Sequence, residues 1–180
     1  ATACYPYKTI FGSSVCIDPD IYGMGKGQKA CDIKEMAFPQ GQGAPVAVTK
    51  IETRMLPEND ETIVKPHFFI FIENNGNGEV VNLSKVEKAC TNEPLEYTDF
   101  NSMQINVTLS GKLLDCSVDT GGAKIETIRL RDKKDLVRCT LEEGIDLGRD
   151  AYTAPLRIEL QYGYTFTISK DIIIEKILKY

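Results

Sequence analysis

Between Pro66 and Gly78 the chain reads His67-Phe68-Phe69-Ile70-Phe71-Ile72-Glu73-Asn74-Asn75-Gly76-Asn77. The five apolar residues from Phe68 to Ile72 leave no polar break at the 3.6-residue period of an amphipathic helix. Phenylalanine and isoleucine also favour strands. The stretch therefore predicts a strand buried on both faces. Asn75-Gly76 and Asn77-Gly78 follow with residues tolerant of positive φ, which predicts a tight turn into a second strand at Glu79.

The rest of the chain is read around that strand. Residues 46–56 alternate, with one face at 46, 48, 51, 53 and 55, apolar except for Thr53, and a one-residue slip near 49–50. That pattern predicts a strand with a bulge at the slip. Pro57-Glu58-Asn59-Asp60-Glu61 is a polar hairpin loop, and residues 65–73 form the next strand with Pro66 near its start. After a short strand at 79–83, Ser84 followed by Glu87 has the form of a capping box and predicts a helical turn to Cys90. Residues 101–109 place Met103, Ile105, Val107 and Leu109 on one face. Ser110-Gly111-Lys112 turns the chain back through Leu113-Leu114-Asp115-Cys116. Further strands are expected at 125–130, 136–141, 154–164 and 165–177.

Seven to nine short strands without a βα repeat predict an all-β fold. The natural assignment is an antiparallel β-sandwich of immunoglobulin-like type over residues 46–180. The Cys…Trp…Cys pattern of antibody domains is absent, since the chain has no tryptophan. Residues 1–45 read differently. Cys4-Tyr5-Pro6-Tyr7, Asp18-Pro19-Asp20, Gly23-Met24-Gly25-Lys26-Gly27 and Gly41-Gln42-Gly43-Ala44-Pro45 are turn chemistry. They predict a loop-rich, cysteine-stapled arm.

Cysteines stand at Cys4, Cys16, Cys31, Cys90, Cys116 and Cys139, with no Cys-x-x-Cys pair, and His67 is the sole histidine. That pattern argues against a zinc site of ordinary spacing. Widely spaced cysteines in even number point to disulfides and an extracellular or cell-surface location. Cys116–Cys139 is the favoured pair, joining neighbouring strands across a loop whose closure gives about 3 kcal/mol. Cys4, Cys16 and Cys31 cannot pair among themselves alone, so Cys90 ties the arm to the domain. Asn82-Leu83-Ser84 and Asn106-Val107-Thr108 are glycosylation acceptor sequences.

The net charge of −5 and pI near 5.0 argue against nucleic acid and anionic lipid as partners. No apolar run approaches the roughly 18 residues of a membrane span, so the chain itself is not expected to insert. It opens Ala1-Thr2-Ala3-Cys4, without a charged-then-apolar leader.

Ile72-Glu73-Asn74-Asn75-Gly76-Asn77-Gly78-Glu79-Val80 resembles the strand-and-turn element of CARDB-like immunoglobulin-like domains, which occur in archaeal and bacterial surface proteins. Three further stretches together resemble secreted or membrane-anchored archaeal proteins. They are Cys16-Ile17-Asp18-Pro19-Asp20-Ile21-Tyr22-Gly23, Gly41-Gln42-Gly43-Ala44-Pro45-Val46-Ala47-Val48, and residues 154–164 with Ile168-Ser169-Lys170. The resemblance implies an extracellular β-sandwich behind a cysteine-rich lead-in, and it implies no catalytic residues.

The residues themselves suggest little chemistry. His67 precedes the core strand with no nucleophile near it in sequence, where a triad needs a base oriented by a third group. Glu142, Glu143, Asp146 and Asp150 offer hard oxygen ligands of the kind calcium takes, with Asp18 and Asp20 as two more. The alternative is a solvated acidic loop. Gly23-x-Gly25-x-Gly27 lacks the preceding strand and following helix of a phosphate cradle. The function expected is a non-enzymatic structural or adhesive surface protein, a subunit of a filament or layer. It would associate with itself, or with another surface protein, by strand addition at a sheet edge. The donor favoured is the N-terminal arm. The other expectation is a ligand- or partner-binding ectodomain of a membrane-anchored protein.

Overall fold

The computed structural model describes residues 1–25, 28–58, 62–91, 93–118 and 123–173. The tip of the expected hairpin loop at 59–61, residues 26–27 of the glycine-rich turn and the expected strand beyond 173 lie outside them. Two antiparallel sheets enclose one core.

The first sheet holds β1 (Thr2–Ile17), β12 (Tyr152–Thr167), β6 (Ser102–Leu109) and β7 (Lys112–Leu113) in that spatial order. β5 (Glu79–Val81) pairs with β12 beyond the reach of β6, and β9 (Thr127–Arg129) pairs with β6. The second sheet runs β2 (Met36–Ala37), β3 (Val46–Pro57), β4 (Ile63–Asn74), β10 (Lys134–Thr140) and β8 (Asp115–Ser117), with β11 (Ile145–Asp146) on β4.

The sheets meet through their alternating faces. β6 buries Met103, Ile105, Val107 and Leu109 while Gln104 and Asn106 face solvent. β12 buries Ala154, Leu156, Ile158, Leu160, Tyr162 and Tyr164. The second sheet answers with Val48, Ile51, Val64, Phe68, Ile70, Ile72 and Val137. At roughly 1.5–3 kcal/mol per buried large apolar side chain, this alternation is what holds the two layers together. The expected bulge in β3 is present, as a register shift against β4 between Val48 and Lys50.

Four expectations change. First, β4 is not buried on both faces. Phe68, Ile70 and Ile72 enter the core, but Phe69 and Phe71 lie half-buried on the outer face. There Lys50 Nζ sits 4.0 Å from the Phe71 ring centroid and the Arg54 guanidinium 4.8 Å from that of Phe69. The cations cover rings that an apolar run alone assigns to the interior.

Second, the Asn-Gly pairs do not close a hairpin. They carry the chain from the second sheet into the first, and neither Gly76 nor Gly78 has a positive φ. Glycine is required for closeness instead. A Cβ at Gly76 would lie 2.1 Å from the Tyr164 hydroxyl, and one at Gly78 2.0 Å from the Thr165 carbonyl. Buried Asn74 sets the crossing, its Nδ2 donating to the Gly78 carbonyl at 3.1 Å and its Oδ1 accepting from the Gly76 amide at 3.0 Å.

Third, the capping box at Ser84 and Glu87 is absent. Asn82 caps a 3-10 turn (Leu83–Lys85), and the reciprocal cap forms at Glu96 and Asp99 instead. Asn82 wins because its carbonyl oxygen reaches both the Ser84 amide and the Ser84 hydroxyl, at 3.0 and 2.8 Å.

Fourth, Cys4 to Tyr7 form strand rather than turn. β1 pairs with β12 without interruption from Thr2↔Thr167 to Ile17↔Tyr152. Phe11, Val15 and Ile17 belong to the common core. At the other end, the strands expected at 154–164 and 165–177 merge: β12 runs on through 165–167 and stops at Thr167, and the described residues 168–173 are not strand.

Candidate functional site

Three disulfides form: Cys4–Cys90, Cys16–Cys31 and Cys116–Cys139. Cys116 and Cys139 stand directly opposite each other on β8 and β10, so the favoured pair joins neighbouring strands. Cys90 joins the N-terminal set through Cys4. The other two bridges hold the two ends of β1, one near its start and one near its finish.

β1 is also fixed from inside. The Thr9 hydroxyl donates to the Val46 carbonyl at 2.8 Å and meets the Tyr162 hydroxyl at 3.0 Å, while the Val46 amide donates to Tyr162 at 3.1 Å. All three residues are buried. This small ring ties β1 and β12 to the start of β3 and joins the two sheets. Burial pushes the Tyr162 hydroxyl pKa up to about 12, so it stays protonated as a donor. Tyr5 and Tyr7 stand opposite Tyr164 and Tyr162, and the rings of Tyr7 and Tyr162 stack at 5.6 Å.

Among the described residues, no strand lies beside the outer edge of β1. Its phase follows from one pair. The Ala1 ammonium donates to the Ile168 carbonyl at 2.7 Å, and the Ile168 amide donates to the Ala1 carbonyl at 2.9 Å. In an antiparallel ladder such doubly bonded pairs alternate with pairs whose amides and carbonyls point away. Odd-numbered residues of β1 therefore bond to β12, and Pro6, Lys8, Ile10, Gly12 and Ser14 turn their backbone outward. Pro6, which has no N–H to offer, stands in an outward position where it costs the ladder nothing. Among the described residues, no backbone hydrogen bond outside the β12 ladder involves Thr2–Ile17. Ile10 is 50% exposed.

Among the described residues the other edges are shorter: beyond Ile51 the outer side of β3 is open only over its last six residues, which end at Pro57. β2, β7 and β8 have two or three residues each. Short edge strands of this kind offer little to pair with. β1 has 16 residues.

The four carboxylates proposed as calcium ligands are not gathered. Glu142 pairs with Lys65 at 3.0 Å, Glu143 pairs with Lys112, and Asp146 lies 3.6 Å from Arg149. Asp150 faces a different cleft with Asp18 and Asp20. Among the described residues no three His, Cys, Asp or Glu side chains are placed to hold a metal ion. Asp18 and Asp20 instead build their own loop. Lys29 bonds Asp18 at 2.6 Å, and the Asp20 carboxylate accepts from the amides of Gly25 and Met24 at 3.0 and 2.8 Å. Those amides, Gly25 first, hold Asp20 below the usual carboxylate range.

His67 Nδ1 lies 2.8 Å from the hydroxyl of Thr140, its directly opposed neighbour on β10. Thr140 is buried. Burial, with Arg138 next, lowers the His67 pKa below 6.5. The sequons differ in setting. Asn106 is exposed on β6, whereas Asn82 is half-buried and bonded within its own cap. Asn106 also lines a cleft of about 340 Å³ with Gln104, Lys124, Glu159 and Gln161.

No helix among the described residues is long and apolar enough to cross a membrane. Comparison with protein families, with curated proteins and with solved structures finds no match to this chain.

Sequence reasoning missed β1 as an edge. The signal that carries it is the alternation of Tyr7, Phe11, Val15 and Ile17 on the inward face, interrupted there by Thr9 and Ser13.

Proposed function

We propose that this chain is a non-enzymatic, extracellular structural or adhesive protein with an immunoglobulin-like domain, which self-associates by strand addition as a subunit of a surface filament or layer. The observation that carries this reading is the long open edge of β1, clamped at both ends by disulfides. An unpaired strand of this length is a template for another strand. The disulfides fit an oxidising exterior. The single histidine shares its Nδ1 with the hydroxyl of a buried threonine on the neighbouring strand, which supports a structural role for it.

The role of the N-terminal segment differs from that of a donated arm. Its first 17 residues complete their own sheet, so they serve as the acceptor edge. The test is negative-stain microscopy of native material alongside intact mass with and without alkylation. Fibres or sheets together with three intact disulfides are the expected result. Isolated particles only would overturn the assembly reading, and six free thiols would overturn the extracellular one.

A second reading is a ligand-binding ectodomain of a membrane-anchored protein. The cleft around Asn106 favours it, with a volume of about 340 Å³ and a polar rim of Gln104, Glu159 and Gln161.

A further inference from the structure

We infer that the partner of the β1 edge is the same edge of a second copy, paired antiparallel about a two-fold axis at Phe11. The inference rests on the self-association proposed above and names the surface and register of one of its contacts: a two-fold edge pairing closes at a dimer, the repeating unit that a filament or layer then joins through a second surface.

The window available for pairing is bounded on both sides. At one end Pro6 has no N–H to give. At the other Cys16 is held by its bridge to Cys31. Between them Lys8, Ile10, Gly12 and Ser14 present outward amides and carbonyls. Antiparallel pairing must match outward residues with outward residues. Centring on Phe11 pairs Lys8 with Ser14 of the second copy and Ile10 with its Gly12, and the two-fold repeats both pairs. About eight hydrogen bonds form, two at each of the four pairs. Shifting the centre by one residue toward the N-terminus sets Pro6 against Ser14 at both symmetry-related positions, and shifting it the other way sets Cys16 against Lys8 at both.

The side chains favour an identical partner. Thr9-Ile10-Phe11-Gly12-Ser13-Ser14-Val15 has no charge and no proline, the composition of segments that pair with copies of themselves. Lys8 is the sole charged residue of β1 and already meets Glu159 at 2.5 Å. In the two-fold arrangement it faces a serine, so no like charges oppose each other although each copy is acidic overall. Exposed Ile10 lies over Gly12, beside which nothing comes within 4 Å of an added Cβ. The ladder to β12 runs the whole length of β1, and both ends of β1 are bridged to residues of its own chain, Cys90 and Cys31, so pairing adds a strand and does not exchange one.

Sedimentation velocity of the disulfide-intact chain over a concentration series tests this with three variants. Ile10→Pro removes an outward N–H without touching the β12 ladder, as Pro6 already does in the same phase. It is expected to weaken the dimer about thirtyfold, for two symmetry-related hydrogen bonds at roughly fivefold each. Ser14→Lys, at an exposed position, sets lysine against Lys8 twice and is expected to weaken the dimer about threefold to tenfold. Ser14→Glu is expected to tighten it by a similar factor.

Oligomers indifferent to all three variants would overturn the edge pairing while leaving self-association in place. Weakening by Ile10→Pro with no opposite response to the Ser14 pair would overturn the register. A wild-type chain that stays monomeric at every concentration would overturn both this inference and the assembly reading. If Ile10→Pro melts without cooperativity, the two Ser14 variants decide.

Discussion

Tyr162 joins the two sheets through its hydroxyl. Its hydroxyl serves the Val46 amide and Thr9 in a fully buried place. Tyr162→Phe keeps the ring stacked on Tyr7 but leaves the Val46 amide without its acceptor. It is expected to lower stability by about 1–3 kcal/mol, read by chemical denaturation. Thr9→Val is expected to act on the same group, so the two changes together should cost less than their sum.

His67 gives a pH signature. Burial and Arg138, with Lys65, lower its pKa below 6.5, while Glu142 and Glu58 oppose them. As pH falls below 6.5 the unfolded chain takes the proton first, so it binds more protons than the folded chain. Stability therefore declines from about pH 6.5 toward the lower folded pKa and does not change on this account above it. His67→Gln is expected to remove that slope, measured as unfolding free energy against pH. A slope unchanged in the variant would assign it to other groups.

At the scale of the element, β1 and β4 show what alternation reveals and what it conceals. β6 was legible because its inward residues are all apolar and its neighbours polar. β1 was not, because two of its inward positions are Thr9 and Ser13, which are accommodated by a Val46 carbonyl and by Met36. Nothing in the local sequence shows that those partners exist. In β4 the run Phe68 to Ile72 conceals which face is inside, since Lys50 and Arg54 that cover the outer rings come from another strand. The acidic loop misled for a similar reason. Its carboxylates meet Lys65 and Lys112, which are distant in sequence, before they meet each other.

The bridges at the ends of β1 make an element-scale expectation. Cys4–Cys90 closes a separation of 86 residues and Cys16–Cys31 one of 15. In the chain-entropy account their removal costs about 4–5 and about 3 kcal/mol. Replacing Cys4 and Cys90 by serine is expected to lower the denaturation midpoint more than replacing Cys16 and Cys31. The reverse order would show that native packing around the bridges outweighs loop closure.

For the whole molecule, the all-β class and a disulfide joining neighbouring strands were readable from residues 46–164, because strand period and turn residues are local, whereas short pieces such as β2, β7 and β11 raise the described strands to twelve against the seven to nine expected. The pairing order was not. It places the first strand beside the last, Thr2 against Thr167, a contact that no local pattern encodes. That pairing leaves β1 as the outer strand and creates the edge on which the assembly reading depends. The central claim is that this edge meets its own copy, and amide hydrogen exchange measured at low and high protein concentration tests it most directly. Odd-numbered β1 amides are bonded to β12 in every state and should be protected at both concentrations. The account predicts that raising the concentration slows exchange at Lys8, Ile10, Gly12 and Ser14, and leaves their odd-numbered neighbours unchanged. Exchange at those four amides that is fast and independent of concentration, in a sample that nonetheless assembles, would contradict it.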